Sequence, residues 1–179
     1  MQFTDVLTKK KYIAHQVWLR TDGDEGRRLD LRYVDLSGCD LSGADMRHAI
    51  LRGADLFDAN LQNANLTGAD MTGANMEGAD LQDANLANAD MRRANLRSAN
   101  LYGADMRDAD LSGANIDFSA WPLSCGSFDV TVDKRIVSQL IYHVCKLRCD
   151  DDEVKELQET IKPFANKFHR IGKDVYKLD

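Results

Sequence analysis

The sequence predicts a mainly β fold, a solenoid whose chain turns a corner every five residues and closes a four-sided coil every twenty. Three observations predict it. Leu29 to Phe118 is eighteen consecutive five-residue blocks with no insertion or deletion. Each block is centred on a large apolar residue, from Leu31 and Leu36 through Leu111 and Ile116. Two residues before the centre stands Ala in fifteen blocks, after Leu29, Val34 and Cys39 open the series; one residue before it stands Asp or Asn in seventeen of the eighteen, with Ile50 the lone departure.

A period of five fits neither an amphipathic helix nor an alternating strand. On a helix of about 3.6 residues per turn the centres would spiral round the whole surface, and the acids and amides with them. A chain that turns after each block instead sends the centre and the small residue inward and the other three outward. The mid-rod core is then Leu56, Leu61, Leu66, Met71, Met76, Leu81 and Leu86. The corners carry suitable chemistry. The second residue after the centre is Gly in eight blocks, Asn at Asn63 and Asn88, and Asp at Asp58, Asp83 and Asp108. Such residues tolerate positive φ or bond to their own backbone, as tight turns require.

These blocks closely resemble the A(D/N)LXX repeats of the pentapeptide repeat family, over half of the chain without a break. The resemblance implies a right-handed quadrilateral β-helix. Eighteen blocks at four per coil make about 4.5 coils, a rod roughly 22 Å long. A solenoid of this kind buries its faces only by stacking.

Three segments follow: an N-terminal capping helix and loop over residues 1–28, the repeat over 29–118, and an α-helical segment over 119–179. Thr4 or Asp5 can cap a first helix ending near Arg20, with Val6, Leu7, Ile13, Ala14, Val17 and Trp18 as its apolar stripe. It is expected to fold over the first coil, where Leu29, Val34 and Cys39 are larger than Ala, because a bare solenoid end is an aggregation template. The stretch His15-Gln16-Val17-Trp18-Leu19, with its Gly-containing loop and Arg28-Leu29-Asp30-Leu31, resembles the entry of a bacterial and phage-associated subset of the family. After Ile116 the pattern decays, and Trp121 falls where it could plug the last coil. A helix is expected over about 132–147, and a third starts at Asp150-Asp151-Asp152, carrying an apolar seam of Val154, Leu157, Ile161, Phe164 and Phe168 and kinked at Pro163. The two should form an antiparallel hairpin on the final coil.

The net charge of −6 is unevenly placed: the repeat carries fifteen acids against seven arginines. No run of about eighteen apolar residues exists to span a membrane, and no apolar secretion segment opens the chain, so cytoplasmic residence is expected. Of four cysteines, Cys39 takes an inward slot, and Cys125, Cys145 and Cys149 form no repeated framework, which suits a reducing compartment. Cys145, Cys149, His143 and His169 lack the paired motif of a zinc site, so neither metal nor cofactor is expected.

Chemistry is sparse. There is no phosphate-binding Gly-rich loop, nucleophile elbow or HExxH motif, and His15, His48, His143 and His169 are scattered, which argues against an enzyme. The Asp/Asn rows read first as structural, satisfying backbone groups at the corners. The family resemblance implies a second role, because some members mimic DNA and bind type II topoisomerases such as gyrase. Against it, residues twenty apart share a face, so Arg32, Arg52 and Arg92 stack along one side, with Arg93 beside them. Lys9-Lys10-Lys11 reads as a solvated helix face rather than a nucleic-acid contact. The expected function is a non-enzymatic interaction or scaffold protein with an unknown protein partner. Its candidate contact residues are Ile50, Phe57, Tyr33, Tyr102, Arg32, Arg52 and Arg92; the alternative is a DNA-mimicking inhibitor or protector of gyrase.

Overall fold

The computed structural model describes residues 6–117, 119, 120, 155, 156, 158–160 and 163. The chain divides into two compact units, Met1–Thr131 and Val132–Asp179. In the second, residues 155, 156, 158–160 and 163 are helical. The expected plug at Trp121, the helix over 132–147, the hairpin and the cysteine-histidine cluster lie outside the described residues.

The repeat is a solenoid with a register of twenty. Parallel bridges join Asp30 to Ile50, Ile50 to Asp70, Asp70 to Asp90 and Asp90 to Asp110, and the other three columns follow the same step. No block can satisfy its own backbone, so each coil bonds to the next. The Leu56 amide donates to the Asn75 carbonyl at 2.7 Å, the Asp58 amide to Glu77 at 3.0 Å, and the Asn75 amide back to Ala54 at 2.9 Å. Inside, Leu61, Leu66, Met71, Met76, Leu81 and Leu86 are fully buried and Leu56 is 1% exposed, with the alanines sealed between them. Fully burying a Leu or Met stabilises by about 1.5–3 kcal/mol.

The corners are type II turns. The Ala59 amide closes back on the Leu56 carbonyl at 3.0 Å, across Phe57 and Asp58. The third turn residue holds a positive φ, 51° at Asp58 and 66° at Gly73. The position demands that conformation even from residues that dislike it: Tyr33, His48, Arg93 and Ser98 adopt φ between 57° and 60° there. Tyr33 also explains the glycine one coil on. Its ring lies over Gly53, where a Cβ would stand 2.6 Å from the ring carbon.

The Asp/Asn rows act as the sequence suggests for the structural reading. Each of the seventeen accepts, through its side-chain oxygen, the amide of the residue two positions on, at 2.9–3.4 Å. This ties down an outward amide that the ladder between coils does not use. Amides also link coils: Asn75 Nδ2 donates to Asp55 at 2.9 Å and Asn100 Nδ2 to Asp80 at 3.0 Å.

One helix precedes the repeat, α1 (Val6–Arg20). Its contacts correct the expected apolar stripe. Ile13 is 56% exposed, whereas His15 and Thr8 are buried. The physical reason is the partner. The first coil presents unpaired backbone groups rather than an apolar sheet face, and α1 meets them with polar side chains. Lys11 Nζ donates to the Asp30 carbonyl at 3.0 Å and Gln16 Nε2 to the Asp45 carbonyl at 2.8 Å. The Asp45 amide donates to the Tyr12 hydroxyl at 3.0 Å, and the Leu29 amide to His15 Nδ1 at 3.2 Å.

The inward assignment is testable at mid-rod. Ala79 is fully buried, so Ala79→Leu should lower stability by about 1–3 kcal/mol through overpacking. Tyr102 is 67% exposed, so Tyr102→Thr should stay within about 0.5 kcal/mol. Denaturant unfolding of the two variants checks both; equal losses would contradict the packing.

Candidate functional site

Because residues twenty apart stack, each face of the repeat has its own chemistry. The first face runs through residues 29–33 and their successors, the second starts at 34, the third at 39 and the fourth at 44. On the first face Asp70, Asp90 and Asp110 are vertical neighbours, which would repel. The arginines of that face answer them. Arg52 pairs with Asp70 at 2.8 Å, and Arg92 lies between Asp90 at 2.6 Å and Asp110 at 3.7 Å. Arg32 grips Asp30 with both its Nε and a terminal nitrogen. On the fourth face Arg47 and Arg107 pair with Asp45 and Asp105. The candidate contact arginines Arg32, Arg52 and Arg92 therefore share a face, with their charge spent on neighbouring carboxylates.

The result is a segregation of charge. The first and fourth faces carry seven acids and six arginines. The second and third carry eight acids and one arginine, Arg97, which lies 3.6 Å from Glu77. On those two adjoining faces Asp35, Asp55, Asp58, Glu77 and Asp117 stand beside Asp40, Asp80 and Asp83. Row by row, asparagine separates the third-face acids: Asp40, Asn60, Asp80 and Asn100 alternate up the column.

The candidate apolar contacts do not form one patch. Tyr33 is 76% exposed at the end of a first-face block, Phe57 is 42% exposed on the second face, and Tyr102 is exposed on the third. Ile50 is half-buried and bridged on both sides, to Asp30 and Asp70.

The N-terminal end carries the opposite charge. Lys10, Lys11 and Ala14 of α1 line a cleft of about 460 Å³ with Arg27, Arg28 and Asp30. Arg28 also borders a second cleft of about 360 Å³, with Trp18, Leu19, Asp22, Arg47 and His48. Sequence reasoning missed Arg27 and Arg28, because only the return of the chain past Gly26 sets them beside the lysines. His15 stacks on Trp18 with ring centres 5.6 Å apart, and Trp18 meets His48 edge-on at 6.4 Å. His15 Nε2 makes no hydrogen bond. Among the described residues no group of three or more His, Cys, Asp or Glu could hold a metal ion, and no helix is long and apolar enough to cross a membrane.

Titration follows from these contacts. Burial holds His15 below its ordinary pKa of 6.5. The unfolded chain therefore takes up the proton first, so the stability supplied by neutral His15 is full above about pH 6.5 and declines as pH falls below it. Hydrogen bonds from Arg32, Arg47, Arg92 and Arg107 hold Asp30, Asp45, Asp90 and Asp105 below 3.8. Their contribution is full above about pH 4 and is lost as pH falls through the folded values. The melting temperature should drop in two stages on acidification, and His15→Gln should remove the upper stage alone. Calorimetry between pH 7 and pH 3 checks this; an unchanged upper stage in the variant would contradict it.

Comparison with known proteins agrees with this architecture. The family model described as pentapeptide repeats (8 copies) matches residues 27–63, 35–73 and 74–113. A pentapeptide repeat protein from the thylakoid lumen of Arabidopsis thaliana is 34% identical over 67% of this chain and 77% of its own, with a TM-score of 0.53. One from Nostoc PCC 7120 is 35% identical over 68% of this chain and 95% of its own, with a TM-score of 0.53. QnrB1, a plasmid-mediated fluoroquinolone resistance protein, is 19% identical over 73% of this chain and 75% of its own; its TM-score of 0.31 carries no functional argument. No curated protein matches. Eighteen in-phase blocks, a register of twenty and two solved relatives at a third identity agree: the chain belongs to the pentapeptide repeat family.

Proposed function

We propose that this protein is a non-enzymatic interaction rod whose second and third faces together present one acidic surface to a basic partner protein. The observation that carries this is the segregation of charge. Acids occur on all four faces, yet six of the seven arginines of the repeat lie on the first and fourth. Seventeen Asp/Asn side chains are committed to the turns, but a carboxylate that accepts one amide keeps its charge. An acidic field over adjoining faces steers and orients a basic surface, and the regular spacing sets its register. The first face, with four acids balanced by four arginines, is the passive side.

The same proposal takes the solenoid as the right-handed quadrilateral β-helix of about 4.5 coils that its family implies, with α1 closing one end, a helical hairpin within the C-terminal segment, and the protein working in the cytoplasm. It places the chain in the bacterial and phage-associated subset on the strength of residues 15–31. A DNA-mimicking role at gyrase remains the second reading, favoured by the same acidic faces, because six of the seven arginines that oppose it lie on the other two and only Arg97 stands among the acids.

Glu77→Lys with Asp83→Lys reverses charge on the second and third faces and leaves the Asp/Asn row intact; Asp83 sits at a positive-φ corner, where Arg93 shows that a long basic side chain is accepted. This pair should abolish capture of the partner from native extract, while Arg92→Gln on the first face should leave capture intact. Affinity purification with mass spectrometry reads the outcome, and gyrase supercoiling assays with the same variants separate the two readings. Partner capture that survives the double reversal but fails in Arg92→Gln would contradict the proposed face.

A further inference from the structure

We propose that the cleft between α1 and residues 27–30 is an anion site that takes a diphosphate or longer oligophosphate group. Four cationic side chains, Lys10, Lys11, Arg27 and Arg28, line it with one acid, Asp30. That acid is already engaged: Asp30 accepts from Arg32 Nε and from its terminal nitrogen, at 3.0 and 2.7 Å. The four cations therefore face a single carboxylate whose charge is divided between Arg32 and Lys11, and positive charge is left in excess.

The site is also held in place. Gly26, at φ 77°, brings the chain so close to α1 that a Cβ there would stand 2.7 Å from the Trp18 amide nitrogen. The Arg27 amide donates to the Ala14 carbonyl at 3.2 Å. Lys11 Nζ is anchored on the Asp30 carbonyl at 3.0 Å, and Arg28 Nε donates to the His48 carbonyl. The two side-chain anchors each use one N–H and leave others on the Lys11 ammonium and the Arg28 guanidinium for a ligand. The planar fork of an arginine beside ammonium donors suits phosphate oxygens.

Size and charge choose among anions. A cleft of about 460 Å³ lies in the range of small-molecule sites. One phosphate dianion neutralises two of the four cations, and a chain of two or more phosphates matches the set. A nucleic-acid duplex needs a continuous basic track, because its charges recur every ~1.7 Å along the axis. Here the adjoining cleft sets Asp22 beside Arg28, and its other arginine, Arg47, is paired with Asp45, so the basic lining does not continue as a track.

Titration calorimetry of the full chain with inorganic pyrophosphate and tripolyphosphate, at fixed ionic strength, tests the site. One anion should bind per chain. Lys10→Gln, Arg27→Gln and Arg28→Gln should each weaken binding roughly tenfold, the loss expected for one charged hydrogen bond. Arg107→Gln, in an ion pair on the fourth face, should leave it unchanged. Melting curves establish that each variant is folded, and Lys10, exposed on α1, keeps the test open if an arginine variant is not. Four results would overturn the proposal: no pyrophosphate binding, equal loss in Arg107→Gln, equal competition by sulfate, or retention of duplex DNA without pyrophosphate.

Discussion

The structure depends on one constraint: a five-residue block cannot bond to itself. Its turn closes a single backbone hydrogen bond, as between Ala59 and Leu56, one outward amide is taken by the block's own Asp or Asn side chain, and the remaining amides and carbonyls must find the coils above and below. A register of twenty follows, and with it the vertical stacking of every side chain on its counterpart one coil away. Inward stacking asks for one large and one small apolar residue, and the buried Leu, Met and Ala columns supply them. Outward stacking brings like charges together, and this chain answers with arginine on the first face and alternating asparagine on the third.

The same constraint explains α1. The first coil has no coil before it, so its edge is a row of backbone donors and acceptors. Tyr12, Gln16, Lys11 and His15 meet that edge as another coil would. Binding to polar edges leaves His15 buried with an unpaired nitrogen, and places Lys10 and Lys11 beside Arg27 and Arg28. The acidic faces and the basic end are thus two consequences of one architecture.

Most of the repeat was legible because its period is strict. Inward and outward positions, positive φ at the corners and the arginine column all follow from counting in fives and twenties. The inner face of α1 was not legible in the same way. An apolar-stripe argument presumes an apolar partner, so it put Ile13, which is 56% exposed, on the inner face, whereas His15 reads as a helix histidine near that interface and is buried there. The candidate contact surface was legible only as a set of exposed residues. Tyr33, Phe57 and Tyr102 fall on three faces, and Arg32, Arg52 and Arg92 pair with carboxylates; the charge segregation appears only when residues are sorted by face. The basic cleft joins residues from either side of the 21–26 loop, and no local pattern announces that pairing.

Amide hydrogen exchange along the first face tests most directly the claim that the Asp/Asn rows are structural. Arg32, Thr72, Arg92 and Ser112 each donate an amide to an aspartate oxygen two residues before. Arg52 occupies the same column, but the residue two before it is Ile50, which has no side-chain oxygen to offer. The account predicts that the Arg52 amide exchanges faster than those of Thr72 and Arg92, and that Ile50→Asn slows it to their rate. Equal exchange in the wild type, or no change in Ile50→Asn, would contradict the claim.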